Sequence, residues 1–215
     1  NVGVTCVNET YTLGGLLTGL AAGDTVVLQN NGGDDLSLGA DGAFTFNTPV
    51  AYGDPYVVTV KTQPTAPSET CTVSNGIGTM PASDVKDVSV ICAVDTFTVG
   101  GTLSGLSSGQ SIVLQNNGGD DLTLSADGSF TFASPLADAT AYTVTILTQP
   151  DGQTCTVSNG SGTVAGAPVT DVTVTCTDNP VAPPAKPVPT MSVWLLGLMS
   201  VVLAGIGALR TRRKI

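Results

Sequence analysis

The chain has 215 residues with 26 Gly, 13 Pro and 5 Cys, 11% of them charged and 41% apolar, and a formal net charge of −10. That length accommodates one large domain or two of roughly 100 residues, and the apolar share excludes disorder through a shortage of core-forming residues. The chain contains no His, which excludes His-based general base catalysis, Ser-His-Asp and Cys-His nucleophiles and His-ligated zinc.

The charge is divided. All 17 acidic residues lie between Glu9 and Asp178, beside only two basic ones, Lys61 and Lys86, while four of the seven basic residues fall in the last six positions. A surface this acidic repels phosphate backbones, so no nucleic-acid partner is expected.

In chain order, Asn1-Val2-Gly3-Val4-Thr5-Cys6 matches Asp87 to Cys92 and Asp171 to Cys176. Residues 1–8 are therefore expected to be the last strand of a preceding, truncated repeat. The chain starts at Asn1 without the basic-then-apolar run of a secretory signal, and the expectation is the C-terminal part of a longer repeat protein. The alternative for Cys6 is a free thiol that links two chains.

Residues 9–94 read as short strands: Thr25 to Gln29, Leu36 to Leu38, Ala43 to Phe46, Tyr56 to Val60, Cys71 to Ser74 and Val85 to Cys92. They alternate and are rich in β-branched and aromatic residues. Between them, Asn30 to Asp35 and Ala40-Asp41-Gly42 suit tight turns with positive φ. Residues 95–178 repeat the pattern. Val27 to Leu36 returns as Val113 to Leu122 at an offset of 86, which falls to 84 after Pro150 because Pro64 to Cys71 spans seven positions and Pro150 to Cys155 only five. Six or seven strands in each unit of about 85 residues predict two small β-sandwiches in tandem.

The order Gly15-x-Leu17-x-Gly19-Leu20, then Asp41-Gly42-x-Phe44-x-Phe46, then Tyr56-x-Val58-x-Val60 resembles bacterial prealbumin-like, Ig-like repeats, including the carboxypeptidase-regulatory and collagen-adhesin B types. The resemblance covers about two thirds of each unit and implies the fold and a structural role. Adhesin members often carry a Lys–Asn isopeptide crosslink, which the second unit cannot form because it has no Lys.

Each unit holds two cysteines 21 apart, Cys71 and Cys92, then Cys155 and Cys176. Repeat symmetry favours Cys71–Cys92 and Cys155–Cys176 disulfides in an exported protein, the alternatives being buried free thiols or metal ligation. The acidic turns Asn30 to Asp35 and Asn116 to Asp121 offer oxygens to calcium, but hairpins use the same residues and the spacing fits no EF-hand. Asp34-Asp35 and Asp120-Asp121 point to opposite faces of a strand, against a cooperating acid–base pair.

Residues 179–189 form a Pro-rich linker. Within residues 190–215, Met191 to Leu209 gives nineteen uncharged residues, long enough as a helix to cross a bilayer, with Arg210, Arg212, Arg213 and Lys214 as a cytoplasmic stop. Val188-Pro189-Thr190-Met191-Ser192-Val193-Trp194 is similar to the Ile-Pro-Thr-Leu-x-x-Trp motif of IPTL-type C-terminal sorting signals of Gram-negative bacteria. Pro189, Thr190 and Trp194 match, Val188 replaces Ile, Met191 replaces Leu, and Leu195 stands where Gly commonly follows. The resemblance implies processing by an exosortase-like membrane Cys protease; a plain uncleaved anchor is the alternative.

The expectation is thus an all-β protein of tandem β-sandwich repeats, a Pro-rich linker and one transmembrane helix. It has no catalytic residues and no cofactor beyond the open question of calcium. It is exported as an inner-membrane-anchored precursor with periplasmic repeats, then delivered to the cell surface as part of a stalk or adhesin. The alternatives are repeats that bind a glycan or calcium, or spacers of a larger exported enzyme.

Overall fold

The computed structural model describes residues 2–3 and 7–181. Cys6, most of the Pro-rich linker, the motif Val188 to Trp194, the nineteen-residue apolar segment and the basic residues Arg210 to Lys214 lie outside the described residues.

The six alternating segments of the first repeat are all strands. In chain order its elements are β1 (Thr10–Tyr11), β2 (Leu13–Thr18), β3 (Val26–Asn30), β4 (Asp34–Leu38) and β5 (Gly42–Thr45). They continue with β6 (Val50–Ala51), β7 (Pro55–Thr62), β8 (Glu69–Ser74), β9 (Ile77–Thr79) and β10 (Val85–Val94). One sheet has the order β5-β2-β10-β8 and the other β4-β3-β7-β9, with β1 and β6 as a separate short pair. All pairings are antiparallel except β2 with β10, which run parallel.

Strand alternation explains the sandwich. In β3 every second residue is buried, as are Tyr56 and Val58 of β7. These meet Leu13, Leu17, Val88 and Val90 of the opposite sheet in one apolar cluster. Phe44 and Phe46 pack edge to face at 6.0 Å between centroids, so the Phe-x-Phe of the repeat motif is core.

The second repeat copies this strand for strand: β11 (Thr96–Phe97), β12 (Val99–Ser104), β13 (Ile112–Asn116), β14 (Asp120–Leu124) and β15 (Gly128–Thr131). Then follow β16 (Leu136–Ala137), β17 (Ala141–Thr148), β18 (Gln153–Ser158), β19 (Ser161–Thr163) and β20 (Val169–Asp178). Its sheets have the orders β15-β12-β20-β18 and β14-β13-β17-β19, around a second apolar cluster. Only Asp95 lies between β10 and β11. No helix occurs among the described residues, and none there is long and apolar enough to cross a membrane.

The expectation of six or seven strands per repeat falls short, because each has ten. The principal omission is β2. Leu13-Gly14-Gly15-Leu16-Leu17 does not alternate, yet β2 is a central strand between β5 and β10. Glycine is required there by close approach: a Cβ on Gly15 would overlap the Val88 carbonyl, and one on Gly14 would meet Phe44.

Candidate functional site

Disulfides join Cys71 to Cys92 and Cys155 to Cys176. In each repeat the two cysteines are direct cross-strand partners, on β8 and β10 and on β18 and β20. All four are buried within the apolar clusters. The closed loop passes through β9 or β19, in the opposite sheet, so each disulfide ties together both layers of its sandwich. Gln63, directly after β7, accepts from the Cys71 N–H (2.8 Å) and donates to the Cys71 carbonyl (3.0 Å). Gln149 does the same for Cys155 at 2.8 and 3.0 Å, so the outer edge of each crosslinked strand is capped at the cysteine. Both repeats share this segment, Thr62-Gln63-Pro64 and Thr148-Gln149-Pro150, but nothing local in it shows that the glutamine caps the crosslinked strand.

The motif aspartates are also structural. Asp41 accepts from the Gly19 and Leu20 N–H groups, both at 2.9 Å, and Asp127 from Gly105 and Leu106 at 2.9 and 2.8 Å. This ties the β4–β5 turn to the chain leaving β2, and the Gly-Leu and Asp-Gly motifs become one contact.

The acidic turns are hairpins, with Asn31 and Gly32 at φ 48° and 71° and Asn117 and Gly118 at φ 50° and 71°. Their carboxylates are engaged by protein donors. Asp34 accepts from the Thr48 N–H and Asp120 from the Ser134 N–H. Asp35 takes the Gln29 amide and Lys61, and Asp121 the Gln115 amide. Neighbouring carboxylates of each pair thus face different partners. Among the described residues no group of three or more His, Cys, Asp or Glu is placed to hold a metal ion.

Glu69 and Gln153 occupy equivalent buried positions, 2% and 5% exposed. Both Glu69 oxygens share the single Ala21 N–H, at 3.0 and 3.2 Å. Gln153 accepts from Ser107 N–H (2.9 Å) and also donates to the Gly105 carbonyl and to Asp178, both at 2.9 Å. Glu69→Gln supplies the donor toward the Gly19 carbonyl that Gln153 supplies toward the equivalent Gly105 carbonyl. It should raise the stability of the first repeat by about 1 kcal/mol in a thermal melt; a lower melting temperature would contradict this assignment.

The sharpest concentration of polar contacts lies at the junction of the repeats. Ser68 donates from N–H to Asp138 (2.7 Å) and from its hydroxyl to Asp95 (2.7 Å). Thr70 donates to Asp95 (2.7 Å), and Gly166 N–H to Asp138 (2.7 Å). Backbone bonds run from Asp95 N–H to Ser68 O and from Asp138 N–H to Asp95 O, each 2.9 Å. Neither Ser68 nor Asp138 stands out in the sequence; the two-residue difference between the repeats just before β8 was the signal pointing there.

These bonds hold both junction carboxyls below the usual carboxylate range: at Asp95 the hydroxyls of Ser68 and Thr70 act against desolvation and the nearby Asp138, and at Asp138 the Ser68 and Gly166 N–H groups act against desolvation. Asp24, Asp35 and Asp84 are lowered likewise by the Ala66 N–H, Lys61 and the Thr12 N–H respectively. A group with a depressed folded pKa contributes stability that is complete above its unfolded value and lost as pH falls through the folded one. The melting temperature should therefore hold steady above the ordinary aspartate value of 3.8 and fall progressively below it. Thermal melts from pH 7 to pH 2 test this, and a melting temperature that rises on acidification would contradict it.

No family model matches the sequence, and no curated protein does. Solved structures with similar strand arrangements include the Bacillus anthracis TIE protein, at 12% identity and a TM-score of 0.48, covering 79% of this chain and 34% of that one. A C-terminal fragment of the pilus adhesin SpaC from Lactobacillus rhamnosus GG matches at 11% identity and 0.38, covering 80% of this chain and 100% of the fragment. The shaft pilin SpaA of the same organism matches at 13% and 0.30, with 81% and 100% covered. This chain thus spans about a third of the Bacillus protein.

Proposed function

We propose that the chain is a non-enzymatic, exported cell-envelope protein, part of a disulfide-stapled repeat stalk or adhesin-like surface protein, and sorted or anchored through its C-terminal segment. The observation that carries this reading is the pair of buried disulfides, one at the same place in each repeat. Such crosslinks persist in oxidising compartments outside the cytosol. The order of the chain supports it as well: acidic repeats, then a Pro-rich spacer, an apolar run and a basic end. That order suits a membrane anchor with the repeats on the far side from the basic end.

The structural roles of the motif residues favour scaffold over chemistry. Asp41, Asp127 and the turn carboxylates each hold protein donors, and the glycines make room for backbone. Within this reading, the similarity of Val188 to Trp194 to IPTL-type signals names an exosortase-like membrane protease as the processing partner.

Mapping the C-terminus of the protein recovered from its native host tests the sorting step. The expected product ends near Pro189 or Thr190. A chain that retains Arg210 to Ile215 overturns processing and leaves an ordinary anchor, and a cytosolic product with reduced cysteines overturns export itself.

A further inference from the structure

The first repeat carries two more residues before β8 than the second does: Pro64 to Glu69 contains Thr65, Ala66, Pro67 and Ser68, where Pro150 to Gln153 contains only Asp151 and Gly152. Those residues form a small closed turn, with Thr65 bridged to Ser68. Its base is fixed to its own repeat, because Asp24 accepts from the N–H groups of Thr65 (3.0 Å) and Ala66 (2.8 Å). Its far side faces the next repeat. Thr65, Ala66 and Pro67 form one wall of a groove whose other wall is Ala139, Val164 and Gly166.

The geometry points to a docking strap: Thr65–Ser68 clasps the leading end of the following repeat through Asp138, and this clasp fixes the orientation of the two sandwiches. Three comparisons within the chain support it. First, the connection itself is only Asp95, and both its backbone and its side chain are held by Ser68 and Thr70. Second, the end of the second repeat keeps the intrarepeat half of this arrangement and lacks the rest. Asn179 N–H donates to Gly152 O (2.8 Å) and Thr154 donates to Asn179 (2.6 Å), but Gly152 has no hydroxyl to offer and the turn is two residues shorter. Third, the position equivalent to Asp138 in the first repeat is Tyr52. The backbone there is held in the same way, Tyr52 N–H to Glu9 O at 2.8 Å, yet Tyr52 is 61% exposed while Asp138 is 8% exposed. Asp138 is therefore buried by what docks on it, and its Oδ2 reaches Ser68 across the junction while Oδ1 holds Gly166 in its own repeat. The partner of the strap is a sandwich of this same fold that presents an aspartate at that loop. The inference concerns the folded repeats and stands whether or not the chain is exported.

Single-molecule fluorescence transfer on the full chain in a lipid nanodisc tests this, with dyes at non-cysteine sites replacing exposed Ala43 and Ser129, which are equivalent positions in the two repeats. The native chain should give one narrow distribution. Deletion of Ala66 and Pro67 should broaden it into interconverting orientations. Asp138→Ala, which changes no residue of the strap itself, should broaden it as well, while both repeats keep a cooperative thermal transition above the measuring temperature. A broad distribution in the native chain, or a distribution that stays narrow in either variant, overturns the strap.

Discussion

Gly15→Ala should destabilise the first repeat by more than about 4 kcal/mol and leave the second intact. Gly15 lies on β2 where this strand runs parallel to β10, paired with Val88. An added Cβ would overlap the Val88 carbonyl oxygen and lie 2.6 Å from its carbonyl carbon and 2.9 Å from its Cα. All three are backbone, and β10 is held on its other side by β8 and the disulfide, so it cannot retreat. Substitutions that force backbone overlap in a packed interior belong to the class that costs more than about 4 kcal/mol. A domain of this size has about 5–10 kcal/mol in total. Gly101 meets Val172 in the same way, so Gly101→Ala reverses the outcome and spares the first repeat. Amide spectra of the two variants, compared repeat by repeat, check this; a fully dispersed spectrum with an unchanged melting temperature would contradict it.

The paired replacement Cys71→Ala with Cys92→Ala should lower the stability of the first repeat by about 3 kcal/mol, the loop-closure entropy of a ring of this length. That corresponds to a melting temperature lower by roughly 12–24 °C for a domain of this size. Cys155→Ala with Cys176→Ala should do the same to the second repeat. Because the cysteines are 3–5% exposed, a reductant reaches the sulfurs only when a repeat opens. Release of thiols should therefore accelerate with mild denaturant at fixed reductant concentration. Rapid release under native conditions, insensitive to denaturant, would place the disulfides at the surface and contradict the packing described here.

Much of the architecture was legible because it rests on local signals repeated twice. Alternation marks β3, β7 and β10, the Asn-Gly turns mark the hairpins, and repeat symmetry singles out the cysteine pairs. The opposite facing of Asp34 and Asp35 follows from strand geometry alone. What escaped has physical reasons. The glycines of β2 answer to backbone in neighbouring strands that are about 30 and 73 positions away, and they erase the alternation that identifies a strand. The strands β1, β6 and β9 have two or three residues, too few for any period. Asp138 breaks the repeat, since its counterpart is Tyr52, and its partner Ser68 is 70 residues distant. Glu69 differs from its counterpart Gln153, and its burial against Ala21 depends on a contact 48 residues away.

If the protein folds and works outside the reducing cytosol, as proposed, each sandwich carries one closed crosslink in the cell. This is tested most directly by the mass of the protein captured from its native host into acid, alkylated before and after reduction, with peptides mapped across the cysteines. Cys71, Cys92, Cys155 and Cys176 should resist alkylation until reduced and appear in two linked peptides, Cys71 with Cys92 and Cys155 with Cys176. Labelling of these four cysteines without reduction, or linkage between the repeats, would contradict it.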